Sequence, residues 1–230
     1  MPVIIVVVVV VLIVIIATWI RNLITRSRTV KLRKQAQLLG FRFAEEGDLT
    51  LIHRSGPFLL FALGDNRGIR NLMEGEIDGI DVAVFDFRYS VSLSPRYAEN
   101  WWQTVVLLST SSLDMPTFSM LPEVTHDAIT DRVEDPMMQE RLLGMASLRF
   151  DDHPEFNERY RLQGMDRAEI KALFNDEVVG YFEGREDVSV EGDGTNLIFY
   201  RFNEPIPPEE IEVFIQKAVR SCRIFEEAGR

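Results

Sequence analysis

The sequence predicts an α+β fold, an N-terminal transmembrane helix followed by a mostly antiparallel sheet domain with flanking helices and a C-terminal amphipathic helix. Three observations predict it. Residues 3–20 (VIIVVVVVVLIVIIATWI) carry no charge, and fifteen of the eighteen are Val, Ile or Leu. Two strand-like runs meet at Asp78-Gly79, a strong hairpin signal. Apolar residues recur at three- and four-residue steps from Ile211 to Phe225.

The apolar run comes first. An α-helix of that length covers about 27 Å, close to a bilayer's hydrocarbon thickness. A single strand of such length is far outside the usual range of about 5 to 6 residues. A cleaved signal peptide needs a positive n-region and a small-residue cleavage site. Only Met1 and Pro2 precede this core, and Ala17-Thr18-Trp19 is a poor A-x-A. The run therefore reads as a retained anchor that meets the lipid bilayer through residues 3–20, with Trp19 at the interface. Arg21, Arg26, Arg28, Lys31, Arg33 and Lys34 follow, with no acid until Glu45. The positive-inside rule then puts the N-terminus outside the cell membrane and the C-terminal domain in the cytoplasm, a single-pass arrangement. Arg21, Arg26, Arg28 and Lys31 are the candidate contacts to lipid headgroups. The expected organisation is an anchor at 1–20, a basic juxtamembrane stalk at 21–40 and an acidic cytoplasmic α+β domain at 41–230.

Residues 29–39, stopped by Gly40, read as a helix that either continues the anchor or begins the domain. Residues 41–66 are apolar but irregular, with a short helix near Asp48 and a strand at 58–63 as options. Strands follow at 69–77 and 80–91. In the second, Ile80, Val82 and Val84 share one face and Ala83, Phe85, Phe87 and Tyr89 the other, so it belongs at the centre of its sheet. Residues 103–112 and 116–121 add two more strands, and a weak helix starts after Pro122. Short strands at 147–152 and 160–164 surround a turn. Asp166 caps a helix with Glu169 as capping-box partner and Ile170, Leu173 and Phe174 as its buried stripe. A hairpin at 187–202 turns over Gly192-Asp193-Gly194. The last helix opens at Pro207-Pro208 and buries Ile211, Phe214, Ile215, Ala218, Val219, Cys222 and Phe225.

The formal charge is −11, and residues 35–230, with 19 basic and 36 acidic residues, carry −17. That excess argues against nucleic acid, whose phosphates need Lys and Arg. Acidic partners are disfavoured and basic partners or cations are compatible with it, while the commoner role of such charge is solubility. One cysteine, Cys222, excludes an internal disulfide and suits a reducing compartment.

Few residues suggest chemistry, and neither a cofactor nor a metal is expected. Asp151-Asp152-His153-Pro154-Glu155 is the compact run of metal-capable side chains. Successive residues of an extended chain point apart, so no more than two or three can converge. The alternative is a turn in which Asp152 caps a helix over 154–159. Asp86 shares a central-strand face with Val82 and Val84. A buried acid there is either a site or the half of an ion pair with Arg88 or Arg70. His53 and His126 are isolated. Ser109, Ser111 and Ser112 lack a nucleophile elbow, and no phosphate-binding glycine loop occurs. Trp101-Trp102 would close a core edge or expose a binding patch.

The run Asn71-Leu-Met-Glu-Gly-Glu, then Val84-Phe-Asp-Phe-Arg-Tyr and Gln103-Thr-Val-Val, with a second block from Phe150 to Gly164, resembles an uncharacterised family of bacterial single-span membrane proteins with a cytoplasmic domain of unknown function. The similarity covers most of residues 38–226. It implies a bacterial membrane protein and transfers no catalytic residue.

The functional expectation is a membrane-anchored, non-catalytic interaction or docking module with a protein partner. The alternative is a membrane-tethered enzyme, hydrolase-like or cation-dependent, using Asp86 or the 151–155 cluster, with Asp152 and His153 as its candidate residues. An enzyme should gather those side chains in a concave pocket. A docking module should offer an exposed apolar patch or a free sheet edge.

Overall fold

The computed structural model describes residues 26–94, 97–130, 133, 136–184 and 188–229, together with Val7, Leu12 and Ile13. Among the described residues no helix is long and apolar enough to cross a membrane. This corrects the expected fold class and its single-pass membrane element. The 3–20 segment on which that expectation rested lies, apart from Val7, Leu12 and Ile13, outside the described residues.

The described chain is α+β around one nine-stranded sheet. Helical residues 26–39 form α1. Then come β1 (Arg42–Gly47), α2 (Thr50–Ser55), β2 (Asp65–Ile77), β3 (Ile80–Ser94), β4 (Tyr97–Ser109) and β5 (Met115–Pro122). They are followed by α3 (Glu123–Thr130), α4 (Pro136–Gly144), β6 (Ala146–Leu148), α5 (Pro154–Arg159) and β7 (Tyr160–Gly164). The chain ends with α6 (Arg167–Leu173), α7 (Asp176–Glu183), β8 (Ser189–Gly194), β9 (Asn196–Tyr200) and α8 (Ile211–Ala228). The strand order is β1-β2-β3-β4-β9-β8-β5-β7-β6. Each of these pairings is antiparallel.

Local chemistry explains much of this. Asp78 and Gly79 both take positive φ (50° and 79°), the geometry of a two-residue turn that matches strand twist. The register follows, with Ile77 opposite Ile80 and Glu76 opposite Asp81. Gly40 (φ 72°) ends α1 in a Schellman motif, its N–H bonding Gln37 O and the Phe41 N–H bonding Ala36 O. Asp166 caps α6 through the N–H groups of Ala168 and Glu169.

Other elements pack on both sheet faces, incompletely on the second. On the first, α1, α5, α6, α7 and α8 bury Val82, Val84, Val106, Leu108 and Phe118. All seven apolar positions expected along α8 are buried. Phe225 there packs in tilted and edge-on contacts with Phe118, Phe174 and Phe182 at centroid separations of 5.5, 5.4 and 5.9 Å. On the second face, residues 58–63 and the helices α2, α3 and α4 cover Phe85, Phe87, Val105 and Ile198, and Ala83 and Leu107 lie at the margin of that core. The 58–63 option of a strand gives way to a 3-10 turn at Leu60–Ala62, wholly buried. The chain there serves as a plug on the sheet rather than a member of it.

Helix α1 begins the domain, because Leu32 and Ala36 are buried in the first core. A buried ion pair fastens it. Arg28 Nε and Nη2 donate to the two Asp86 oxygens at 2.9 and 2.7 Å. Arg28 also donates to Ile206 O at 2.7 Å and to Thr104 Oγ1 at 3.0 Å. Asn71 Nδ2 and Thr104 Oγ1 complete the shell of Asp86 at 2.8 and 3.1 Å. Asn71 reaches it from a β-bulge in the left-handed region (φ 52°), and its own Oδ1 accepts from Thr29.

Removing one partner leaves the other charge unpaired in the interior, at a cost of about 3–5 kcal/mol. Asp86→Ala is therefore expected to lower unfolding free energy by about that amount in urea titration. Arg28→Met combined with Asp86→Leu is expected to lose less than Asp86→Ala alone.

Candidate functional site

Asp86 does lie on the first face with Val82 and Val84, but its partner is Arg28 rather than Arg88 or Arg70. The carboxylate is 1% exposed, and each oxygen is engaged. It has the geometry of a latch, closed beneath α1. Arg28, the expected headgroup contact, is turned inward onto Asp86, and its guanidinium also lies over Trp102 at 5.3 Å. Arg88 lies over the same ring at 4.9 Å. Arg26 and Lys31 are exposed on the outer side of α1, and Arg21 lies outside the described residues.

The 151–155 cluster does not converge. Asn157 holds the turn, its side chain bridging the N–H and C=O of Phe150 at 2.9 and 2.6 Å. Asp151 and Asp152 are exposed, and Glu155 sits in the first turn of α5. His153, not Asp152, occupies the cap position of α5, without a side-chain cap bond. Its ring faces α7, with Nδ1 at 3.1 Å from Glu183 and Nε2 at 3.5 Å from Asp176. The bond to Glu183, then that to Asp176, raises the imidazole pKa above its ordinary value. Among the described residues no three His, Cys, Asp or Glu side chains are placed to hold a metal ion. His126 Nε2 meets Gln163 Oε1 at 2.7 Å, and His53 is exposed on α2. Burial pushes the Cys222 thiol up to about 12, so it stays protonated at neutral pH.

A buried acid that sequence reasoning missed lies on the second face. Glu191 of β8 accepts from the backbone N–H groups of Leu59 and Leu60 at 2.5 and 3.2 Å, and from the Tyr200 hydroxyl at 2.8 Å. It thereby caps the 3-10 turn that plugs the sheet. Burial raises its pKa from 4.5 to about 7, against the opposing pull of those three bonds. Burial, with Glu191 beside it, also raises that of Tyr200.

The concavity with a chemically suggestive lining crosses β1, β2, β3 and β4 on the second face. Its volume is about 550 Å³. Register explains its composition. Glu74 lies opposite Ala83, and Ala83 opposite Leu107; one step nearer the hairpin, Glu76 lies opposite Asp81, and Asp81 opposite Ser109. Ala83 and Leu107 form an apolar floor at 9% and 3% exposure, and Leu51 of α2 forms a wall. Glu74, Glu76 and Asp81 make an acidic rim. Arg42, largely in solvent, stands 3.5 Å from Glu74. Gly75 in the groove has no Cβ because Phe41 fills that space from the other face, 2.2 Å from where it would lie.

No family model matches this chain, and no curated protein matches it in sequence. The crystal structure of the mycobacterial trehalose monomycolate transport factor A resembles it with a TM-score of 0.58 at 13% identity. The likeness covers 89% of this chain and 96% of that one. At that identity it shows a shared fold.

Glu191 makes stability pH-dependent. Its folded pKa lies above the unfolded 4.5, so the native state holds the proton more tightly. The stabilisation is complete below pH 4.5, declines as pH rises towards 7, and is level beyond; its size is on the order of 3 kcal/mol. Glu191→Gln is expected to flatten this part of the profile in urea titrations run at pH 4.5 and 7.5. His153 adds a separate decline above pH 6.5, through its own raised pKa, and His153→Gln is expected to remove it.

Proposed function

We propose that this chain is a non-catalytic, transport-associated docking domain that binds a protein partner in the groove across β1–β4. The observation that carries the reading is the groove itself, an open concavity with an apolar floor and an acidic rim. Side chains from four strands build it, so the partner site is as rigid as the sheet.

Two further observations support it. Three ionisable groups have structural partners: Asp86 holds α1, Glu191 holds the 58–63 plug, and His153 holds α7. The fold is similar to that of a transport factor along nearly its whole length. An enzyme built on Asp86, or on Asp152 with His153, would need those groups in a concave pocket; Asp86 is sealed beneath α1, Asp152 is exposed, and His153 is turned onto α7.

Site-specific photo-crosslinking in cells that make the protein tests this. With a photoreactive residue at position 76 the full chain is expected to form a discrete protein adduct. Ala83→Arg, which places a charge on the floor, is expected to abolish it. A photoreactive residue at position 209, before α8, is expected to give no such adduct. Adducts of equal yield at both positions, or an adduct insensitive to Ala83→Arg, would overturn the reading.

A further inference from the structure

The geometry points to a short basic amphipathic helix of a foreign protein as the occupant of the groove. The inference rests on the docking reading above and adds the chemistry of the partner.

Size sets the first constraint. Neighbouring strands are about 4.8 Å apart, so the span from β1 to β4 is about 14 Å. A helix of about ten residues covers it at about 1.5 Å per residue. A helix also has two chemically different flanks, and so does the groove. Ala83, Leu107 and Leu51 offer an apolar strip, which an i, i+3, i+4 stripe would cover. Glu76 and Asp81 lie alongside it, and Glu74 stands at its end, opposite Ala83.

Charge sets the second. Among the described residues that line the groove, Arg42 is the one cation, against three acids. Its side chain is 84% exposed at 3.5 Å from Glu74, so an incoming cation can displace it with little loss. Glu76 and Asp81 are both exposed and directly opposite one another across β2 and β3. Cross-strand partners stand about 5 Å apart, close to the spacing of i and i+4 side chains on a helix. Two lysines one turn apart would meet them together. The −17 borne by residues 35–230 attracts such a partner from a distance and repels acidic competitors.

Fluorescence anisotropy with the full chain at physiological salt tests the inference. The probe is a labelled twelve-residue helical peptide with lysines on one flank and leucines on the other. Two comparators replace its leucines by serine or its lysines by glutamate. Glu76→Lys with Asp81→Lys is expected to weaken binding of the probe at least about tenfold, or about 1.4 kcal/mol. Glu209→Lys with Glu210→Lys changes net charge equally and is expected to change binding less than about twofold, since distant surface charge acts weakly at this salt. Both comparators are expected to bind at least about tenfold more weakly than the probe. Circular dichroism melts of the variants confirm the fold. Equal weakening by the two double variants would mean attraction by bulk charge and overturn the inference. So would a serine comparator as tight as the probe. Self-association of the chain that Glu76→Lys abolishes would also overturn it, making a second copy the occupant. If the probe fails to bind while the adduct at position 76 persists, the docking reading stands and the basic helix falls. If the adduct is missing too, both fall.

Discussion

A guanidinium and a carboxylate leave water together when α1 settles on the sheet, and much of the first face is organised to make that tolerable. An unpaired charge in that position would cost several kcal/mol. The fold supplies a bidentate Arg28–Asp86 pair and surrounds it with Asn71, Thr104 and the Ile206 carbonyl. Each of these comes from a different part of the chain. The bulge that turns Asn71 inward, the central position of β3, and the path of residues 204–206 towards α8 all converge on one network. Thr104 Oγ1 accepts the Ile206 N–H at 2.9 Å, so α8 enters from a point fixed by the same cluster that fixes α1.

The second face is closed by different means. Among the described residues no long helix lies there. Residues 58–63 are all apolar, and their backbone would bury unpaired N–H groups against the sheet without a partner. Glu191 meets that need from β8, 131 residues away from Leu60 in the chain. The plug stops short of the β2–β3 hairpin, and the uncovered strip of sheet beyond Leu51 is the groove. The candidate site is thus the remainder left by an incomplete cover, with its polarity set by strand register.

What the sequence made readable was local. The Asp78-Gly79 turn, the Asp166 cap, the Gly40 stop and the seven-residue stripe of α8 each depend on neighbours a few positions apart, and each has its expected form. Helix α7 was missed because Val178, Val179, Tyr181 and Phe182 favour strands around Gly180; its face is chosen by α8 and the sheet. Arg28 read as one more surface cation in a basic strip, since its partner lies 58 residues on. Glu191 was missed because the segment that covers it lies more than 130 residues away in the chain. The groove could not be read at all, because its acids and its floor become neighbours only through the pairing of four strands.

The strand order has a consequence for biosynthesis. β4 is followed in the sheet by β9, and Ser109 waits 87 residues for Asn196, which accepts its hydroxyl at 2.6 Å. A ribosome adding roughly 5–20 residues per second needs several seconds or more to supply that stretch. Throughout it, Val105, Val106, Leu107 and Leu108 stand on an unfinished margin whose backbone is ready to pair with any passing polypeptide. The nascent chain is therefore most vulnerable to aggregation after its first four strands have emerged, and it is the final strand, closing the gap between two half-sheets, that makes the molecule safe.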